Sequence, residues 1–380
     1  MILTGAWLTR AETQSLLALI EGAGHQALLV GGCVRNALIG APVGDIDVAT
    51  DALPETVIAL AKSAGLRTIP TGLDHGTVTV LSGDIAHEVT TFRRDVQTDG
   101  RHAVVSFTAS LQQDAARRDF TMNALYARAD GTVIDLLGGL SDLLARRVRF
   151  VGDPAARITE DALRILRFFR FHAWYGDPAQ GLDADGLAAC AALSACTDPL
   201  SRERIGAEMQ KLLTAPDPAP AVAAMAATGI LARILPGATP DALAPLIHLE
   251  QGTEPDYLRR LAALGGENPT GPLRLSRAYS RDWEQLRGLM GGTEGPAELA
   301  YRHGPARAKD TLLLRGALFS QPLPPGWEQA VTLGSQARFP LQGTDLMPAF
   351  QGPALGKHLA ELEQRWIASN FSLNRAALLA

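Results

Sequence analysis

Apolar positions in the first 150 residues keep changing their period. Residues 26–30 form a short apolar run that stops at Gly31-Gly32, which predicts a strand followed by a turn. Residues 34–39 can open a helix. Acidic and apolar positions alternate over 45–49, as on a half-exposed strand. Residues 54–64 fit a helix with Pro54 in its first turn, and the β-branched runs 76–81 and 86–92 predict two further strands. The polar stretch 93–102, with Gly100 inside it, predicts a mobile loop. From about residue 155 helical spacing takes over. Apolar residues at 162, 163, 165, 166, 168 and 169 predict a helix over 160–173, and Ser201 suits the N-cap of a helix over 201–213. More helices are predicted over 219–232, 255–263, 281–289, 308–318 and 356–369. They are separated by Pro- or Gly-containing breaks at 215–220, 265–272, 291–295 and 321–326. No segment repeats. The pattern is that of a mixed α/β head followed by a long helical body.

Composition narrows the class. A chain of 380 residues is long enough for two or three domains, and 47% hydrophobic with 20% charged residues is globular. No run of 18 apolar residues occurs, so no membrane span is expected. Arg10, Glu12 and Glu21 interrupt any export-signal pattern. Three cysteines without disulfide or metal spacing are expected to be reduced thiols in a cytoplasm. None of the eight histidines is followed by Asp, so an HD-type metal phosphohydrolase signature is absent. The net charge of −5 argues against a generally basic nucleic-acid binder. Charge is uneven, however: seven arginines stand against three acids between Arg146 and Arg170. Such a patch can grip phosphates, although a solvated helical face has the same composition.

Three clusters carry candidate chemistry. The first is Gly31-Gly32-Cys33-Val34-Arg35 followed by Asp45-Ile46-Asp47. Acids at i and i+2 on a strand share a face and can hold divalent ions for in-line phosphoryl transfer. Glu88 is a candidate third acid. The glycines let backbone N–H groups approach a phosphate; no P-loop motif is present. A surface strand with two solvated acids would look the same. The second cluster is Arg117-Arg118-Asp119-Phe120-Thr121-Met122-Asn123-Ala124. Its arginines suit triphosphate oxygens and its Asp could accept a bond from a ribose hydroxyl, but a capped helix with ordinary ion pairs fits equally. The third is Glu160-Asp161-Ala162-Leu163-Arg164-Ile165-Leu166-Arg167, where Asp161 and Arg164 are i, i+3 neighbours. They could form a plain intrahelical salt bridge. They could also read a base: cytosine and adenine both show an amine donor beside a ring-nitrogen acceptor, which a carboxylate beside a guanidinium would match, while guanine and uracil show the opposite order.

Taken in order, these segments resemble the bacterial class II tRNA nucleotidyltransferases, a family of CCA-adding enzymes and their relatives the bacterial poly(A) polymerases. Further matching pieces are Asp45-Ile46-Asp47-Val48-Ala49-Thr50, His75-Gly76-Thr77-Val78, Glu88-Val89-Thr90-Thr91-Phe92-Arg93, Asp135-Leu136-Leu137-Gly138-Gly139 and residues 202–211, so that most of 28–213 is covered. The tail adds Phe339-Pro340-Leu341, Asp345-Leu346-Met347 and Trp366-Ile367. Position 36 departs from the family: Asn36 stands where an Asp usually follows the arginine.

The resemblance implies an α+β fold, with a polymerase-β-like nucleotidyltransferase head of mixed sheet followed by an all-helical neck, body and tail. The segments would be a catalytic head over 1–140, a neck with the base-selecting helix over 141–214, and tRNA-binding body and tail over 215–325 and 326–380. Asp45 and Asp47 would be metal ligands, with Glu88 as third catalytic acid. Gly31, Gly32 and Arg35 would contact the triphosphate, and Arg118, Asp119 and Asn123 would hold phosphate and ribose. Asp161 and Arg164 would read the base, Arg167 would support them, and Glu208 and Lys211 would shape the neck. Residues 93–102 would be the loop that accompanies the switch from CTP to ATP. The expected activity is template-independent addition of C, C and A to tRNA 3′ ends, with CTP, ATP and Mg²⁺ and the tRNA acceptor and T-arm as partners. Alternatives are a poly(A) polymerase, an enzyme adding only CC or only A, and a catalytically silent RNA-binding protein.

Overall fold

The computed structural model describes residues 1–99 and 102–380. Seven strands make the main sheet: β1 (Ala27–Val30), β2 (Ile46–Thr50), β3 (Arg67–Gly72), β4 (Thr77–Ser82), β5 (Ile85–Thr91), β8 (Leu125–Ala127) and β9 (Val133–Asp135), in the order β3-β4-β5-β2-β1-β8-β9. Only β2 and β5 run parallel; every other neighbour is antiparallel. All four residues of β1 are buried, as expected of a strand covered on both faces. The helix Ala11–Gly22 buries Leu16, Leu17 and Ile20. Leu28, Val30, Ala49, Phe92, Ala124 and Tyr126 form a core at the centre of the sheet.

The polar stretch expected to be a loop belongs instead to a second, two-stranded sheet. Strands β6 (Arg93–Asp99) and β7 (His102–Phe107) pair antiparallel, while Gly100 and Arg101 lie outside the described residues. Backbone pairing requires no apolar run, so the polar sequence of β6 conceals it. Strand β3 is hidden for another reason. It carries Pro70, tolerated because β3 is an edge of the sheet.

The helix expected over 160–173 is present as Leu163–Tyr175, while Glu160 ends a separate helix, Pro154–Glu160. Asp161 breaks the run with φ −149° and ψ 104°, because its own carboxylate accepts the Leu163 N–H at 3.1 Å. The predicted helix over 219–232 also divides, at Gly229, whose φ is 73°. The helix Arg202–Leu213 starts at Ser201 as expected, with the Ser201 hydroxyl capping the Arg204 N–H.

An aromatic cluster fixes the segment after β7 against the neck. Phe120 and Phe150 rings are 5.0 Å apart, Phe120 and Phe171 4.9 Å, and Phe150 and Phe168 5.3 Å. All four rings are buried, each contributing about 1.5–3 kcal/mol. They join residues 117–124 to the helix Leu163–Tyr175.

The chain divides into two compact units, one of Met1–Pro236 with Pro272–Arg274, the other of Gly237–Gly271 with Leu275–Ala380. The second is helical. Leu299, Ala300, Ala308, Leu312 and Val331 form one core, and Leu341, Leu346, Leu362, Trp366, Ile367 and Leu378 another. Arg259 and Arg260 are buried in this unit on the two oxygens of Glu250, at 2.6 and 2.8 Å. No helix among the described residues is long and apolar enough to cross a membrane.

Candidate functional site

Gly31 ends β1 with φ 71° and ψ −120°, a conformation that only glycine adopts without strain. The chain turns there into the helix Gly32–Leu38. A Cβ on Gly31 would lie 3.6 Å from Arg118 Nη1, and one on Gly32 3.8 Å from Arg35 Nη2. Two guanidinium groups therefore overlie a bare turn. Arg35 is buried. It donates to Asn36 Oδ1 from Nε at 3.2 Å and Nη2 at 2.9 Å, and from Nη2 to the Tyr175 hydroxyl at 2.8 Å. Its Nη1 donates to Asn123 Oδ1 at 2.5 Å. Cys33, beside the glycines, is no nucleophile: burial pushes its thiol up to about 11.

The acids lie next to this turn. Asp47 on β2 is paired in register with Glu88 on β5, so the two side chains leave the sheet on the same face. Asp45 precedes β2 by one residue and is exposed, as is Glu88, while Asp47 is half-buried. Burial, then the charge of Glu88 and that of Asp45, push the Asp47 carboxyl up to about 6, and Arg118 and Arg35 pull the other way. A carboxylate crowded by two further acids suits a hard divalent cation, which relieves the repulsion. Among the described residues no three acids, imidazoles or thiols close into a complete metal cage. A site of one or two carboxylates leaves the remaining positions to water and substrate phosphate oxygens.

Residues 117–124 supply a buried polar network. Arg118 Nε donates to the Tyr126 hydroxyl at 3.0 Å and Nη2 to Asp114 at 3.1 Å. Asp119 accepts the Phe120 N–H at 2.8 Å and Asn123 Nδ2 at 2.9 Å on one oxygen, and both Nε (2.9 Å) and Nη2 of Arg167 on the other. Burial alone would raise its pKa, but Arg167 and these hydrogen bonds outweigh it and hold Asp119 at about 2. Its oxygens are occupied by protein donors, which makes Asp119 the link between Asn123 and the neck.

Asp161 and Arg164 share a turn but do not pair with each other. Asp161 accepts Arg204 Nη2 at 2.7 Å. Arg164 donates to Glu160 at 2.6 Å, to the Arg157 carbonyl at 2.9 Å and to the Arg117 carbonyl at 3.0 Å. The intrahelical salt bridge between them is thus excluded, and each polar head is oriented from outside. Glu208 is buried, with Arg170 Nε at 2.5 Å and Arg167 Nη1 at 4.0 Å. Lys211 takes part through its carbonyl, which accepts the Trp174 indole N–H at 2.7 Å.

The structure gives contacts in the site to Asp114, Glu160, Tyr175 and Arg204, to which the sequence reading assigned no role. Asp114 stands i, i+3 and i, i+4 from Arg117 and Arg118, and Glu160 i, i+4 from Arg164, spacings that point to these pairs. Arg204 lies within the matching stretch 202–211. Tyr175 has no signal, because its partner is 140 residues away.

The chain matches the family models described as "Poly A polymerase head domain", over residues 27–149, and "Probable RNA and SrmB- binding site of polymerase A", over 182–241. It is 33% identical to a CCA-adding enzyme of Limosilactobacillus fermentum, covering 96% of this chain and 94% of the relative. With the human mitochondrial CCA tRNA nucleotidyltransferase 1 it shares 43% identity over 53% of this chain and 46% of the other. The crystal structure of the Bacillus stearothermophilus CCA-adding enzyme in complex with CTP superposes with a TM-score of 0.73 at 28% identity, covering 94% of this chain and 92% of that one. The Thermotoga maritima CCA-adding enzyme complexed with tRNA superposes with a TM-score of 0.70 at 16% identity, over 96% and 92% of the two chains, which is a likeness of fold.

Proposed function

The chain belongs to the family of CCA-adding enzymes and bacterial poly(A) polymerases, and from that premise we infer that it builds the CCA end of tRNA. It is a nucleotidyltransferase that adds C, C and A to 3′ ends from CTP and ATP without a nucleic-acid template. The arrangement that best supports this lies around Asp47: a carboxyl raised by burial and by acidic neighbours, beside two guanidinium groups and a bare glycine turn. One side of it suits a cation and the other a triphosphate.

Asp45 and Asp47 are the residues that would hold a divalent ion, which we take to be Mg²⁺; when bound, it neutralises phosphate charge and lowers the pKa of the attacking 3′-hydroxyl. Glu88 strengthens the negative field of these two acids. Gly31 and Gly32 leave the backbone open to the triphosphate, and Arg35 and Arg118 meet its oxygens. Asn123 and Asp119 set the position of Arg35 on one side and Arg167 on the other. Asp161 and Arg164, held by Arg204 and Glu160, offer an acceptor and a donor to the base edge, which C and A match and G and U do not.

In this reading residues 1–140 are the catalytic head and 141–214 the neck. Residues 215–325 and 326–380 are body and tail, gripping the acceptor and T-arm by shape and phosphate contacts. The free thiols Cys33, Cys190 and Cys196 agree with a cytoplasmic location.

Asp45→Ala and Asp47→Ala variants, assayed for nucleotide incorporation and separately for tRNA binding, test the assignment. Each is expected to lose incorporation while binding tRNA like the wild type. Turnover retained in Asp47→Ala would overturn the metal-site assignment.

A further inference from the structure

Arg35 is a buried cation whose hydrogen-bond acceptors are all neutral: Asn36 Oδ1, Asn123 Oδ1 and the Tyr175 hydroxyl. Among the described residues none of the ion pairs includes it. Asp119 and Asp47 act on it only through space; burying a charge with no carboxylate in contact is costly, so the group needs another kind of support. Tyr175, the last residue of the helix Leu163–Tyr175, supplies it. Its ring centroid lies 4.1 Å from the Arg35 guanidinium carbon, and its hydroxyl accepts Nη2 at 2.8 Å. One turn earlier, Phe171 adds a second aromatic face at 5.2 Å.

A carboxylate partner would hold Arg35 and cancel its charge. An aromatic face holds it through the ring quadrupole and leaves the positive field to be felt by an anion. The same helix closes a ring of contacts. Tyr175 accepts from Arg35, Arg35 donates to Asn123, Asn123 donates to Asp119, and Asp119 accepts from Arg167, which stands two turns before Tyr175. The guanidinium is thereby kept over Gly32.

We propose that Tyr175 is a positioning residue of this site: it holds Arg35 over the Gly31-Gly32 turn as an undischarged cation, and affinity for the triphosphate group depends on it while choice of base and grip on tRNA do not. This rests on the reading of Arg35 as a triphosphate ligand. A Tyr175 that merely packed would alter stability, or all affinities together.

The test compares wild type, Tyr175→Phe and Tyr175→Leu. KM and kcat are measured for CTP on tRNA ending at the discriminator base and for ATP on tRNA ending in CC. Inorganic tripolyphosphate, a probe without a base, is titrated by calorimetry. Tyr175→Leu is expected to raise KM for CTP and ATP by the same factor, about tenfold, and to weaken tripolyphosphate binding similarly, with KM for tRNA unchanged. Tyr175→Phe keeps the ring and is expected to lose only about threefold. Unaltered tripolyphosphate affinity in folded Tyr175→Leu would overturn the proposal, as would unequal effects on CTP and ATP or an equal effect on tRNA. If Tyr175→Leu does not fold, Tyr175→Phe decides: a loss of tripolyphosphate affinity upholds the proposal and no loss overturns it. A wild-type protein that bound tripolyphosphate but incorporated nothing would refute the proposed activity, and the calorimetric comparison would still decide the place of Tyr175.

Discussion

Asp47 and Glu88 are paired across the parallel strands β2 and β5, and the repulsion between them helps to push the Asp47 carboxyl up to about 6. Two acids facing each other on one sheet face destabilise the fold. Asp47→Asn removes that repulsion and the ligand charge together. The variant is expected to melt about 1–3 °C higher than wild type at pH 7 without divalent ions, and to show no incorporation. Thermal melts and a primer-extension gel check both halves. An unchanged melting temperature would mean that the two acids do not burden the fold.

Asp119 carries the opposite shift, held at about 2 by Arg167 and its hydrogen bonds against the effect of burial. A carboxyl depressed in the folded state stabilises the fold above the ordinary carboxylate range and ceases to as pH falls toward 2. Asp119→Asn leaves Arg167 without its main partner and is expected to cost about 2–4 kcal/mol at pH 7. The difference from wild type should shrink as pH falls from about 4 toward 2. Denaturant melts across that range measure it; a constant difference would contradict the assignment.

Arg164 serves three acceptors, Glu160 and the carbonyls of Arg157 and Arg117. Lysine cannot reproduce that fork. Arg164→Ala and Arg164→Lys are both expected to relax the choice among the four NTPs, read as the ratio of CTP to UTP incorporation on tRNA lacking CCA. Unchanged discrimination would make Arg164 a structural residue only.

Gly139 packs where no side chain fits: a Cβ there would lie 2.1 Å from the Thr121 carbonyl oxygen. Gly139→Ala must push back the short 3₁₀ turn Thr121–Asn123, which presents Asn123 to Arg35. A loss of about 2 kcal/mol or more is expected, together with a raised KM for both nucleotides. Denaturant melts and steady-state kinetics check it. Wild-type behaviour would mean that the turn yields without moving Asn123.

The legible parts of this site are the local ones. Gly31, Gly32, Asp45 and Asp47 stand out because a tight turn and a strand face are each set within a few residues. Glu160 and Asp114 sit at helical spacing from their arginines. The sequence puts Asp161 and Arg164 on one helix, yet the Asp161 carboxylate caps the Leu163 N–H and ends the run, a competition between side chain and backbone that periodicity does not register. Strand β3 hides behind Pro70, and β6 behind its polar residues. Tyr175 and Arg204 are legible only in three dimensions, since tertiary packing brings them to partners 140 and 43 residues away.

The most direct test of the central claim uses three tRNA transcripts, ending at the discriminator base, at C and at CC. Each is incubated with the protein, Mg²⁺ and CTP, ATP or both, and the products are sized to one nucleotide. Growth on all three that stops at CCA, with ATP used only after CC, is the predicted result. Long A-tails, growth that halts at CC, or growth only from CC would contradict it and mark a poly(A) polymerase or a split-activity enzyme. Bound tRNA with no growth at all would leave an RNA-binding protein without catalysis.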